Sequence, residues 1–293
     1  MFKRDISILI IIFLSLCIFP IFGDLTIDER GISIEYDENI VTHEIYLISI
    51  GVDKFEQNEH AQNYYPNLNY CVADAKSIYE SFSSIEDENK LLLIDEYATM
   101  TNIMDGLNNI IAKMNRNDLL ILYVATHGMF DENDYYFTPS DFDFTNFSYR
   151  GISSNWLIQE LSFIVQNNSN NVVLFLDTCH SGAFGFDIRK SYNAETRSGL
   201  ALVFSCSPLE LSFEGLQYGG GHGLFSYAIL EGLSGNADKN NNGNITFREL
   251  FDYAYLKVKE LSNDRQNPVF IGAMENSVII KRLNNGGTSF NNR

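Results

Sequence analysis

Hydrophobic periodicity predicts an α/β fold with a mainly parallel central sheet and helices on both faces. Three observations carry this. Strand-like and helix-like periods alternate from His43 to Arg282, the pattern of β-α-β units. The runs Asp118–Thr126 and Asn171–Asp177 are continuously apolar, as in parallel strands buried on both faces. The 293 residues are 45% hydrophobic and 20% charged with five prolines, so most of the chain can pay for its own ordering.

The elements follow in order. The segment from Asp24 to Thr42 reads as a polar lead-in with one short strand at Ile32–Tyr36. His43–Gly51 is a strand closed by glycine, and Asn69–Phe82 is a helix with Val72, Ala75, Ile78, Tyr79 and Phe82 on one face. Leu91–Asp95 is a short strand. Thr101 is the expected cap of a helix Asn102–Met114, striped by Ile103, Leu107, Ile110 and Met114. After the Asp118–Thr126 strand come a small hairpin at Tyr135–Thr138 and a helix from Ser153 or Ser154 to about Val165. Two buried strands, Asn171–Asp177 and Leu200–Ser205, precede helices at Gly223–Leu233 and Phe247–Leu261 and a last strand at Ser277–Arg282. Neither a repeat nor a Pro-rich linker divides the chain. One domain is therefore expected over 43–283, with a loose Asn/Gly-rich tail at 284–293.

Lys and Arg number 20 against 38 Asp and Glu, a formal charge of −18. Such a chain repels phosphate backbones, so a nucleic-acid partner is excluded. At the start, Lys3 and Arg4 precede an apolar run from Ile6 to Phe22 that ends at Gly23-Asp24. This pattern makes residues 1–23 a secretory signal peptide. The competing reading is a membrane anchor through residues 6–22, since about 17 apolar residues sit at the lower limit for crossing a bilayer. Either reading exports the folded part. Beyond Cys17 the chain holds Cys71, Cys179 and Cys206, an odd number that excludes a disulfide scaffold and leaves a thiol free. A bond between Cys71 and Cys206 stays open. Sequons at Asn146, Asn167 and Asn244 matter only in a eukaryotic secretory route.

In α/β sheets function collects at the carboxyl ends of strands, and two ends stand out. One strand runs into Thr126-His127-Gly128, the other into Asp177-Thr178-Cys179-His180-Ser181-Gly182. If the strands are neighbours, an imidazole and a thiol emerge side by side. An imidazole that takes the thiol proton makes the sulfur a nucleophile. The Gly128 and Cys179 amides could then hold a developing oxyanion. A packed histidine and a buried cysteine are the usual fates of each residue alone. Joint placement at two strand ends, each followed by glycine, favours the catalytic reading.

These two motifs resemble the catalytic signature of the caspase-like cysteine peptidases, the metacaspase branch especially. The resemblance extends over about residues 44–262 and includes Gly51-Val-Asp53, Leu68–Ala75 and Gly221–Tyr227. It implies a three-layer sandwich, with His127 as base, Cys179 as nucleophile and a polypeptide substrate. It also implies that Asp74 and Asp177 line a pocket selecting Arg or Lys before the scissile bond. Buried carboxylates demand a cationic partner, which fits. The arginines by which caspases select Asp are missing: Leu68 stands at one such position, and Ser205–Glu214 contains none. Tyr70 stands where legumain-type relatives carry an Arg, which weakens the asparaginyl alternative. The polar segment Phe184–Ser198, with Arg189, Lys190 and Arg197, matches a region that is often a processing linker in the family. A catalytically silent interaction module and a calcium-binding envelope protein are the competing classes. Oligomeric state is left open.

A second motif lies late in the chain. Asp238-Lys-Asn240-Asn-Asn242-Gly243-Asn244-Ile245-Thr246-Phe-Arg-Glu249 fits the twelve-residue loop of an EF-hand. Oxygen donors fall at positions one, three, five and twelve, Gly at six and Ile at eight. The Asn244 carbonyl and the Thr246 hydroxyl would complete the sphere. Only Asp238 and Glu249 bring charge, so the expected cofactor is weakly held Ca²⁺, in the ~10⁻⁴–10⁻³ M class. An Asn/Gly-rich turn of the same composition is the competing reading.

Overall fold

The computed structural model describes residues 25–28, 31–34, 44–56, 65–130, 134–146, 149–168, 170–184, 199–274 and 278–283. The leader at 1–23, most of the 184–198 linker, the tail at 284–293 and parts of two sequons lie outside them. No helix among the described residues is long and apolar enough to cross a membrane.

The chain divides into two units, Met1–Ile40 and Val41–Arg293. In the first, β1 (Leu25–Asp28) pairs antiparallel with β2 (Gly31–Ile34). One strand at Ile32–Tyr36 was expected there. Two strands form there, with Leu25 opposite Ile34 and Ile27 opposite Ile32 in the register.

The second unit is built on a six-stranded sheet. Its strands are β3 (Ile45–Gly51), β4 (Lys90–Ile94), β5 (Leu119–Ala125), β9 (Asn171–Asp177), β10 (Leu200–Phe204) and β14 (Val269–Gly272). They lie in the order β14-β10-β9-β5-β3-β4. All neighbours are parallel except β14, which runs antiparallel along β10. Among the described residues, five α-helices lie between these strands in the chain: α1 (Cys71–Ser81), α2 (Met100–Ile111), α3 (Ser154–Asn168), α4 (Leu224–Glu231) and α5 (Phe247–Ser262). Short strands complete the list. They are β6 (Gly128–Phe130), β7 (Tyr135–Phe137), β8 (Ile152–Ser153), β11 (Glu214–Gly215), β12 (His222–Gly223), β13 (Asn244–Thr246) and β15 (Ile279–Arg282).

Side chains alternate across each strand, and so the sheet has two cores. Ile48, Ile50, Leu120, Leu122, Leu174 and Leu176 pack with Ile103, Leu107 and Ile110 of α2 and with Leu157, Leu161 and Ile164 of α3. On the other face Leu47, Ile121, Tyr123, Val173 and Phe175 meet Ala75 and Ile78 of α1, Phe225 and Ile229 of α4, and Leu250 and Ala254 of α5. This is the expected α/β three-layer sandwich.

Two boundaries shift. The cap of α2 is Thr99, not Thr101. Thr99 is extended at φ −74°, ψ 156°, and its side chain accepts the Asn102 amide, so the helix starts at Met100. Met114, outside the helix, is buried nonetheless. The helix read at Gly223–Leu233 ends at Glu231 and widens into a π-type turn, Gly232–Asn236.

Candidate active site

In the sheet Ala125 of β5 lies opposite Asp177 of β9. Equal steps past this pair reach His127 and Cys179, and both line one cleft with Asp74 and Asp177. The expected neighbours are therefore neighbours.

His127 lies flat against Phe55, ring centroids 5.3 Å apart, and edge-on to Phe144 at 6.3 Å. Its Nε2 is 2.7 Å from the Pro66 carbonyl oxygen. A carbonyl only accepts, so the proton sits on Nε2 and Nδ1 keeps its lone pair. Burial pushes the imidazole below its usual pKa, against a smaller upward effect of the Pro66 carbonyl. The ring rests neutral, as a base must.

Cys179 is half-buried and carries a free thiol. Burial raises its pKa, with the nearby charges of Asp177 and Glu214 adding to the rise. The thiol rests protonated. Its turn is pinned from below by Tyr135, which is buried and whose hydroxyl lies 2.5 Å from Thr178 Oγ1 and donates to the Cys179 carbonyl at 3.1 Å.

Gly128 faces the same turn. A Cβ there would run into the Cys179 carbonyl oxygen and the Tyr135 hydroxyl, so only glycine lets the two turns approach. Thr138 N donates to His127 O at 3.2 Å, which makes Gly128–Phe137 the non-hydrogen-bonded pair of the β6–β7 ladder. The Gly128 amide thus turns away from β7. No acceptor stands at the Cys179 amide among the described residues.

The acids sit deeper. Asp177 is 6% exposed and Asp74 2%. Asp177 Oδ1 accepts from Ser212 Oγ at 2.6 Å, and Oδ2 accepts from the Ser226 amide at 3.3 Å and its hydroxyl at 2.5 Å. Asp74 Oδ2 accepts the Gly223 amide at 3.0 Å, and Oδ1 lies 2.6 Å from His222 Nδ1. Burial, with repulsion from Asp177, lifts Asp74 to about 7 against the pull of His222. Burial also raises Asp177. Glu214 is a third carboxylate on the cleft wall.

The model of the caspase domain matches residues 47–278. The chain belongs to the caspase-domain family. That membership makes residues 47–278 a domain of the cysteine-peptidase type in general. Among solved structures, caspase-1 from Spodoptera frugiperda superposes with a TM-score of 0.55 at 12% identity, over 83% of this chain and 92% of that one. Protein GSU0716 from Geobacter sulfurreducens does so at 0.55 and 16% identity, over 79% and 94%. Both likenesses concern the fold. A probable endonuclease 4 of Campylobacter hominis is 24% identical over 155 residues, which is 52% of this chain and 45% of that protein. The chain spans less than half the length of that relative, whose name describes that protein alone.

Sequence reasoning left His222 without a role, and it missed Tyr135, Ser212, Glu214 and Ser226. Their partners lie 35 to 148 residues away in the chain, and no local pattern marks such pairs. His180 is packed: Nδ1 lies 3.2 Å from the Pro208 carbonyl and its ring meets Phe130 edge-on. Cys71 and Cys206 are both free and buried, with no bond between them.

Proposed function

We propose that the chain is an exported cysteine endopeptidase that uses His127 and Cys179 to cleave peptide bonds after Arg or Lys. One observation supports this reading above others. The cleft that holds a neutral imidazole and a thiol is also lined by three carboxylates and by no Lys or Arg among the described residues. A cationic side chain is the partner such a pocket lacks.

The chemistry follows from the resting protonation states. Cys179 Sγ attacks the scissile carbonyl carbon as its proton passes to His127 Nδ1, while the Pro66 carbonyl holds Nε2–H and steadies the imidazolium. The C=O π pair moves onto oxygen, facing the Gly128 and Cys179 amides. Collapse breaks the C–N bond, and His127 gives its proton to the leaving amine. Water, deprotonated by the same imidazole, then hydrolyses the thioester and restores the thiol. A bound Arg or Lys side chain offsets the field of Asp177 and Glu214, which adds to the effect of burial on the thiol. The right substrate therefore helps to activate its own nucleophile.

The test is a Cys179→Ala chain beside the wild type on matched Arg and Lys peptides. Thiol-dependent cleavage by the wild type alone is expected, and equal cleavage by both refutes the assignment. Export rests on the Lys3-Arg4 start and the Ile6–Phe22 run. Cell fractionation should find the chain outside the cytoplasm, and a purely cytoplasmic chain contradicts export.

A further inference from the structure

We propose that the loop Asp238–Glu249 binds calcium, and that the ion braces the helix holding the pocket acids. The donor positions come from the sequence alone; their placement is a separate matter. The loop joins α4, through the turn Gly232–Asn236, to α5, giving the helix–loop–helix context that the motif requires. Asn241 at φ 57° and Gly243 at φ 80° fold it inward. Asp238 then accepts the amides of Asn242 at 3.1 Å and Gly243 at 2.9 Å, Asn240 accepts Asn242 N at 3.0 Å, and Asn242 accepts Asn244 N at 2.8 Å.

The strand register supplies a further donor. Leu283 N donates to Gly243 O at 2.8 Å, and Asn244 stands opposite Arg282. Alternation along the ladder turns the Asn244 carbonyl away from β15, toward the loop interior. Ile245, at position eight, is fully buried in the core. Glu249 is the third residue of α5, and its Oε2 accepts from Thr246 N at 3.0 Å and Thr246 Oγ1 at 2.8 Å in the capping box of that helix, which holds the carboxylate at the end of the loop. The donors are carboxylate, amide, carbonyl and hydroxyl oxygens, a hard set that suits Ca²⁺ and not a thiophilic metal. The cations nearby do not fill the loop: Arg248 pairs with Asp252 at 2.9 Å, and Lys281 donates to Leu233 O at 3.0 Å. Lys239 and Arg282 oppose the ion and keep it weak.

What the ion would brace is set by α4. Its carboxyl end leads into the loop. Its amino end supplies the Gly223 amide to Asp74 and the Ser226 amide and hydroxyl to Asp177. An ion that fixes one end of this eight-residue helix steadies the groups that aim both carboxylates. The binding claim stands without the peptidase reading; only the meaning of the brace rests on it.

Calorimetric titration of the chelator-treated full chain with calcium chloride, and separately with magnesium chloride, tests the site. Saturable calcium binding in the ~10⁻⁴–10⁻³ M range is expected, with magnesium much weaker. Glu249→Gln keeps the capping box but removes a charge, as does Asp238→Asn, and each should weaken calcium at least about tenfold. Circular dichroism in chelator confirms that the variants are folded. No saturation up to about 10 mM calcium, or wild-type affinity in a folded variant, overturns the site. Hydrogen exchange reads the brace without any substrate. Calcium should slow the Gly223 and Ser226 amides in the wild type and not in Glu249→Gln. Unchanged exchange in a calcium-loaded wild type refutes the brace, while failure of the peptide assay alone refutes only the peptidase reading.

Discussion

At Gly128 a close backbone approach and the proposed oxyanion donor share one position. Gly128→Ala places a methyl group against the Cys179 carbonyl and the Tyr135 hydroxyl, so the oxyanion donors lose register. A fall in kcat of about 10²–10³ is expected, the range for one lost donor, with a smaller change in KM; steady-state kinetics check it. Tyr135→Phe removes the two hydrogen bonds under the nucleophile turn and should cost about 1–3 kcal/mol in denaturant unfolding, since it strands a buried Thr178 hydroxyl. Asp74 carries the pH dependence. Its pKa is raised to about 7 by burial, so its charge is present above that pH and lost below. KM for an Arg peptide should fall as pH rises from about 6 to about 8, and the trend should flatten in Asp74→Asn. The stability sign is opposite. The folded state holds this proton more tightly than the unfolded one, so Asp74 favours folding at low pH, and that contribution is lost as pH rises through about 7. Thermal melts should find Asp74→Asn gaining on the wild type above neutrality. The placement of His127 and Cys179 at neighbouring strand ends was legible because each follows an unbroken apolar strand. The partners of Asp74 and Asp177 were not, because only the closed fold brings α4 to them.

Among the elements, the buried parallel strands were the most legible, since burial on both faces leaves an apolar run with no competing period. Edge strand β14 was not read: it has four residues, and only Ile271 among them is buried. The start of α2 was misplaced because Thr99 and Thr101 are both good caps and only the Asn102 hydrogen bond distinguishes them. Thr99→Ala should therefore destabilise by about 1 kcal/mol in urea unfolding, and Thr101→Ala by much less. Equal costs would contradict the assigned boundary.

Across the second unit, β3 sends the chain outward to β4 and then back to β5 on its other side, and the cleft spans the carboxyl ends of β5 and β9, beside the point where strand order reverses. Two cores lock β5 and β9 in register, so the sheet sets where the turns carrying His127 and Cys179 begin. The net acidity of the chain reappears locally as the carboxylates of the cleft. Hydrolysis of matched peptides ending in Arg, Lys, Asn or Asp, beside a Cys179→Ala control, tests this account most directly. It predicts thiol-dependent cleavage after Arg and Lys alone. Cleavage after Asn or Asp would refute the acidic pocket, and no cleavage by folded wild-type protein would contradict the catalytic pairing itself.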